Sequence, residues 1–374
     1  MTVRQINSTD LGAPVLSGTA GSIIRVLDAC LLNGLPTIAV TSIVQTGGVA
    51  TVTTAVPHQF HIFAKPVVII EGATPSGYNV EAAITWIGAY QFTVPVNAGL
   101  SSPASGTITV RIASSGWTKP FTGTNLAAYK MPNTTTNGHY LFVKDTTTTY
   151  ATVVGAENMT DINTMINRFP TLAQNAGNLY IHKSSAASGT ARNWYFIGTE
   201  KEFILIIDQD SSQSYSVLLF GQGNSLVGGD TTFTYIRGGT YTSYSSSIYH
   251  SISSTYTTGT AGIYMLKSYD NTQVSINPAV LANGGITSQT TYGNNSGFTT
   301  KNCDGTYIVT DTKIGNSTDF IRGTIPCIWN CLTKLAFSDN YIWVPSSGTL
   351  LGKTFRAFTD GTSFCFLIEI SNTR

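Results

Sequence analysis

The sequence predicts a mainly β protein: a sandwich- or barrel-like main domain with one N-terminal helix, and a small β-sandwich domain inserted into it. Three observations predict this. Thr, Val, Ile, Tyr and Phe, which suit a pleated and half-buried surface, dominate, with 18 Tyr and 17 Phe, while helix formers are scarce. Charged residues make up only 10% of the 374-residue chain, against about 25% in an ordinary soluble domain. Ser and Thr stand in their place, 91 residues or about a quarter of the chain. With 42% apolar residues the chain can still bury a sizeable core. Its length suggests two or three domains at roughly 150 residues each. A net charge of +1 leaves little electrostatic grip on nucleic acid or anionic membrane.

Residues 1–20 read as irregular, punctuated by Gly12, Pro14 and Gly18. The one convincing helix follows. Ser22 is placed to cap it, and Ile23, Val26, Leu27, Cys30 and Leu31 keep the i, i+3, i+4 spacing of a buried face. Arg25 and Asp28 stand three apart and can pair, and Asn33-Gly34 closes the helix before Pro36. From residue 37 the texture changes to short strands between turns: Thr37–Val44, Val49–Thr54 after a Gly47-Gly48 turn, Pro66–Ile70, Ala82–Ile87, Tyr90–Val94 and Gly106–Ile112. Six strands at this spacing fit a small sandwich or barrel. Ser114-Ser115-Gly116 reads as its exit linker. Residues 37–113 are therefore expected to form the inserted domain, and residues 1–36 with 114–374 the discontinuous main domain.

In the main domain the strand candidates are Tyr140–Lys144, Ala151–Val154, Trp194–Ile197, Phe203–Asp208, Tyr215–Phe220, Tyr307–Val309 and Phe364–Ile370. Phe203–Asp208 and Ser214–Phe220 read as an antiparallel hairpin joined by Gln209–Gln213. A short helical piece is expected around Asp161–Asn167, ended by Pro170. No 20–50-residue period repeats, which excludes propellers and solenoids.

Signals of compartment are few. The N-terminus lacks a basic region followed by an apolar run, so no signal peptide is expected. No uninterrupted apolar run approaches the roughly 18 residues of a membrane helix, so no membrane insertion is expected. Five scattered cysteines (Cys30, Cys303, Cys327, Cys331 and Cys365) are odd in number and argue for reduced thiols made in a cytoplasm.

Candidate chemistry is sparse. Asp208 and Asp210, two apart at a strand end, could face a metal or sugar together, but a hairpin tip rich in Asp and Ser needs no function, and that reading is favoured. Glu200 and Glu202 read as exposed at another strand start. A glycan hydrolase needs two carboxylates about 5–10 Å apart across a cleft, and nothing nominates a pair. Of His58, His61, His139, His182 and His250 only the first two are close, and they lack a third ligand at metal spacing. Cys327 and Cys331 form C-x3-C without a second pair and read as buried thiols. Gly221-Gln222-Gly223 with Gly228 imitates a dinucleotide loop, but Thr-Thr-Phe-Thr-Tyr follows where a helix is required. No catalytic residue, metal ligand or cofactor is nominated, and the chain reads as a non-enzyme.

The most distinctive segment lies between Gly238 and Leu266, where no Asp, Glu, Lys or Arg occurs and Tyr alternates with Ser and Thr. Tyr241, Tyr244, Tyr249 and Tyr256 are the candidate contact surface. Three readings are open: strands buried against neighbouring subunits, an aromatic and hydroxyl platform for a glycan, or an ordinary sheet face. The first is favoured, because charge is costly in a buried interface and Tyr is enriched there.

A resemblance runs along the chain. Gly12-Ala13-Pro14-Val15-Leu16-Ser17-Gly18 with the following helix to Gly34, and Gly116-Trp117-Thr118-Lys119-Pro120-Phe121-Thr122-Gly123-Thr124-Asn125, resemble a group of tailed-bacteriophage virion structural proteins. Tyr140–Asp145, Glu157–Asp161, the stretch from Arg192 to Gly221 and Ile321-Arg322-Gly323-Thr324-Ile325-Pro326 continue it. The inserted stretch, Pro57-His58-Gln59-Phe60 through Gly72–Asn79, is similar to small β-domains of phage tail proteins. The likeness covers more than half of the chain as short strings, and residues from about 229 to 320 depart from it. It implies a virion protein of the tail, neck or baseplate, made in the host cytoplasm, that assembles with copies of itself and other virion proteins. The alternative is a host-adhesion or carbohydrate-binding module, with host surface glycan as partner, or a capsid decoration protein. The shared motifs are built on Gly, Trp and Pro and bring no catalytic residues with them.

Overall fold

The computed structural model describes residues 2–60, 66–132, 139–209, 214–226, 232–239, 262–266, 279–283, 309–316, 321–331, 341–346, 350–359 and 365–371. The N-terminal segment, expected to be irregular, contains two strands, β1 (Arg4–Asn7) and β2 (Leu16–Gly18). Neither has a local partner, which is why local pattern missed them. Helix α1 (Ser22–Leu27) then runs into a π-helical turn, Asp28–Asn33, that ends at Gly34. Ile23, Val26, Leu27, Cys30 and Leu31 are all buried, as their spacing predicts. Gly34 has φ 73°, and a Cβ there would meet the Ile112 carbonyl oxygen at 2.2 Å. Only glycine allows the chain to turn so close to the strand that brings it back.

Residues 38–112 supply β3 (Ile38–Thr46), β4 (Val49–Thr54), β5 (Val67–Glu71), β6 (Glu81–Ala83), β7 (Thr85–Gly88), β8 (Gln91–Pro95) and β9 (Thr109–Ile112). Their sheet order is β6-β5-β9-β3-β4-β8-β7, and among the described residues these strands pair only with each other. The single strand expected at Ala82–Ile87 is two. Ile84 between them is buried, and the halves pair differently, β6 with β5 and β7 with β8. The break lets the chain turn a corner and wrap Val52, Val68, Phe92 and Val110. The exit stretch is docked on the helix rather than loose. Ser115 N–H donates to the Cys30 carbonyl and Trp117 N–H to that of Leu31, each at 2.9 Å.

A second sheet contains β10 (Thr118–Gly123), β11 (Leu126–Lys130), β12 (Tyr140–Lys144), β13 (Tyr150–Met159) and β14 (Met165–Phe169), with β15 (Leu179–His182) pairing the free half of β13. The helix expected at Asp161–Asn167 is absent. The Asp161 carboxylate accepts the Asn163 amide at 2.7 Å, an Asx turn that competes with helix, and Met165–Phe169 pairs with β13 instead.

The remaining strands are β16 (Ser188–Arg192), β17 (Trp194–Gly198), β18 (Glu202–Gln209), β19 (Ser214–Ser225), β20 (Thr232–Gly238), β21 (Gly262–Met265), β22 (Ala279–Asn283), β23 (Val309–Asn316), β24 (Ile321–Cys331), β25 (Ile342–Trp343), β26 (Phe355–Thr359) and β27 (Cys365–Glu369). β16 pairs with β2, and the others join β1 in a twelve-stranded sheet of order β1-β17-β18-β19-β20-β21-β22-β23-β24-β27-β26-β25. The β18–β19 hairpin has the expected antiparallel register, from Glu202↔Gly221 to Gln209↔Ser214.

This sheet curls back on itself. β24 returns to β19 through Asn224↔Thr324 and Ser225↔Gly323, so β19 to β24 form a closed ring of six strands. Beyond the ring, Phe358 of β26 packs on Tyr195 and Tyr215, both at 5.9 Å between ring centroids. Strands β17 to β19 are consequently buried on both faces. Phe196, Phe203, Leu205, Leu218 and Phe220 face the core shared with α1 and the second sheet. Ile204, Ile206, Val217 and Leu219 face the other core, with Ile328, Phe358 and Ile368. Near-continuous apolar runs such as Phe203–Ile207 are what two buried faces require. The protein is mainly β, with sandwich and barrel features and, among the described residues, one short α-helix.

The seam between β19 and β24 depends on glycine. A Cβ on Gly323 would meet the Asn224 carbonyl oxygen at 2.0 Å. Gly323→Ala should destabilise the fold by about 1–3 kcal/mol through overpacking, whereas Gly189→Ala, where nothing lies within 4 Å of the new Cβ, should be near neutral. Urea unfolding of the two variants checks this, and equal midpoints would count against a tight seam.

Candidate functional site

A dense polar constellation lies where α1 meets the second sheet. Gly21, at φ 79°, stands at the helix N-cap position, and no side chain of the helix's own segment caps it. Ser22, expected to do so, donates its hydroxyl to the Ser17 carbonyl at 2.8 Å. The cap comes from Asp145, 122 residues away from Ile23, whose amide donates to Asp145 Oδ2 at 2.8 Å. Asp145 sits just past the end of β12. Its own amide donates to the Asn125 carbonyl and its carbonyl accepts the Gly21 amide, each at 2.9 Å.

Lys183, just past β15, completes the arrangement. Its ammonium pairs with Asp145 Oδ1 and donates to the Thr19 carbonyl at 2.7 Å. Both side chains of the pair are fully buried. Burial pushes the Asp145 carboxyl above its ordinary range and the Lys183 ammonium below its own, against the pair's mutual attraction. A second ion pair fixes the other end of the helix. Asp28 is held by Lys119 Nζ at 2.8 and 2.7 Å and by the Tyr129 hydroxyl at 2.8 Å, so its partner is Lys119 rather than the expected Arg25. Trp117 closes the floor. Its indole N–H donates to the Thr199 carbonyl at 3.1 Å, and its ring meets Phe203 and Phe220 edge-on.

The carboxylates expected to be free are partly spent inside the fold. Glu202 is buried rather than exposed, and accepts the Tyr235 hydroxyl at 3.0 Å. Asp208 is on β18 and its amide donates to the Asn193 carbonyl at 2.9 Å, while Asp210 lies outside the described residues. His58 is buried and stacked on Phe60 at 4.5 Å. Its Nδ1 accepts the Phe60 amide at 3.0 Å and its Nε2–H donates to the Gly88 carbonyl at 2.8 Å, so both nitrogens brace a turn. His61 and His250 lie outside the described residues. His139 Nδ1 meets the Thr234 hydroxyl at 2.5 Å. Cys327 and Cys331 are buried on β24, as expected of apolar thiols. Gly221 and Gly223 stand in mid-strand, where Cβ atoms would collide with Glu202 and with the Phe233 ring, so close packing explains them. Among the described residues no group of three His, Cys, Asp or Glu could hold a metal ion, and no helix is long and apolar enough to cross a membrane. Tyr241, Tyr244, Tyr249 and Tyr256 lie outside the described residues.

Two features escaped sequence reasoning. The Asp145–Lys183 pair joins residues with no common local pattern. Asp10 is the other. Its Oδ2 accepts the Asn7 amide at 2.7 Å, and burial pushes its carboxyl up to about 6 against the lowering effects of that bond and of Arg356. No protein-family model matches this chain, and no curated protein matches its sequence.

Lys183→Met should cost about 3–5 kcal/mol, because Asp145 is left charged or protonated without its partner in a dry site. Asp145→Asn should cost less, since its side-chain carbonyl can still accept the Ile23 amide; urea midpoints that reverse this order would contradict the capping role. The raised Asp10 value gives a second expectation. Between about pH 4 and pH 6 the folded state holds a proton that the unfolded chain has lost, so stability from this group is greatest below pH 4 and is lost as pH rises through 6. Asp10→Asn should flatten the pH dependence of unfolding across that window by on the order of 2–3 kcal/mol; an unchanged slope would refute the assignment.

Proposed function

We propose that the protein is a non-enzymatic structural component of a tailed-phage particle, in the tail, neck or baseplate, that acts by assembling with copies of itself and with other virion proteins. One observation carries the reading. The polar side chains with chemical potential, Asp145, Lys183, Asp28, Lys119, Glu202 and His58, are committed to partners inside the fold, while apolar side chains stand on exposed strands and hairpins.

Those exposed groups gather at particular edges. Among the described residues β25 is the last strand of the twelve-stranded sheet, and Tyr341 and Val344 flank it at 49% and 60% exposure. Leu351, on the way to β26, is 65% exposed. In the inserted sheet Val44 and Val49 stand near the β3–β4 turn, and Ile87 and Tyr90 on the β7–β8 hairpin. A sheet edge bearing apolar groups invites pairing with another chain. A permanent assembly covers such an edge, and the low charge of the whole chain suits that fate. The resemblance to virion structural proteins supports the same reading.

Purified protein at micromolar concentration should form rings or rods of defined size by light scattering and electron microscopy, and Val344→Lys should shift the population toward monomer by about tenfold. Antibody labelling should place the chain on intact particles. A monodisperse monomer that stays so when mixed with the other proteins of the particle would overturn the proposal. Binding to host glycan that is lost in Tyr244→Ala and Tyr249→Ala would replace it with an adhesion role.

A further inference from the structure

We propose that Lys183 and Asp145 condense to an intramolecular amide, a covalent bond between side chains that staples the sheet around α1. This goes beyond assembly and does not depend on it. Four features of the pair support it.

The first is proximity in a dry site. The Lys183 nitrogen and the Asp145 carboxyl are in direct contact and both side chains are fully buried, so the reacting groups are held together with water excluded. The second is the state of the groups. Burial favours the neutral amine and the neutral acid, the forms that react, over ammonium and carboxylate. The third is the division of labour between the two oxygens. Oδ2 accepts the Ile23 amide, whereas Oδ1 meets the Lys183 ammonium. The fourth is the count of donors. An ammonium carries three protons, and the described residues offer Lys183 Nζ two acceptors, Asp145 Oδ1 and the Thr19 carbonyl.

The chemistry balances without a further reactant. A proton passes from the ammonium to Oδ1 along their hydrogen bond, leaving an amine and a carboxylic acid. The nitrogen lone pair then forms a bond to Cγ while the Cγ–Oδ2 double bond opens. The negative charge on Oδ2 develops against the Ile23 amide, already in place to receive it. One amine proton moves to the Oδ1 hydroxyl, the Cγ–Oδ1 bond breaks, water leaves, and the carbonyl re-forms at Oδ2. The product amide keeps one N–H, which donates to the Thr19 carbonyl, and one oxygen, which accepts from Ile23. Its polar atoms thus inherit existing partners, and two buried charges are replaced by a neutral group whose burial is far less costly. The other ionisable groups that act on this pocket are Arg25, which disfavours the Lys183 cation, and Tyr129, whose hydroxyl is held at Asp28.

The bond would join the chain just after β12 to the chain just after β15, the two strands that flank β13. Tension pulling those segments apart would then load a covalent bond. The test is the intact mass of the folded, full-length protein. The wild type should be lighter than its sequence mass by one water molecule, and a branched tryptic peptide should join Asp145 to Lys183 in fragmentation spectra. Lys183→Arg, which keeps the charge but leaves no amine to condense, should have the full sequence mass. Wild-type protein that keeps its full sequence mass after prolonged incubation at neutral pH overturns the proposal, whatever the variant does. So does a loss of water mapped to any other residue.

Discussion

The fold hangs on a charge pair that water cannot reach. Asp145 and Lys183 are buried together at the point where α1, the loop before it and the second sheet converge. Desolvating two charges costs several kcal/mol each, and the pair's mutual attraction, with the bonds to the Ile23 amide and the Thr19 carbonyl, works against that cost. The carboxylate caps a helix that has no cap of its own, and the ammonium holds the Thr19 carbonyl of the loop leading into it. The pair therefore sets position: it fixes where the helix begins relative to β12 and β15. The Lys119–Asp28 bridge, with Tyr129, fixes where the helix goes, and the apolar face of the helix then has one place to pack.

From that anchor the larger sheet follows. β17 to β19 form a layer with apolar side chains on both faces, one toward the helix and second sheet, the other toward β24, β26 and β27. A layer buried on both sides is stable only if the sheet curls over it. The curl is closed at the β19–β24 seam, where Gly323 lets two backbones approach more closely than any side chain allows. Residues whose spacing imitates a nucleotide-binding loop, Gly221 and Gly223, serve the same close packing.

Buried Asp145, Lys183 and Glu202 are held in a pair, a cap and a hydroxyl contact, and apolar groups such as Val344, Ile87 and Tyr90 stand exposed near sheet edges. The inserted sheet is tied to the N-terminal strand by the Arg4–Glu81 pair, and Arg4 Nε donates to the carbonyl of Ser114, past the end of β9, at 3.0 Å.

The sequence by itself determined what depends on neighbours along the chain. The β class, the buried stripe of α1, the β3–β4 turn at Gly47-Gly48 and the β18–β19 hairpin are periodic or turn signals within a dozen residues, and they are legible for that reason. So is the break in texture at residue 37, where a helix gives way to short strands. The tertiary structure alone decided what depends on partners far away. β1 and β2 are strands because β17 and β16 lie beside them. Ser22 is no cap because Asp145 arrives first, Asp161–Asn167 is no helix because β13 offers hydrogen bonds, and Glu202 is buried because Tyr235 receives it. The physical reason is common to all of these. A backbone amide or a carboxylate takes the nearest good partner in space, and the sequence orders only the partners that are near along the chain.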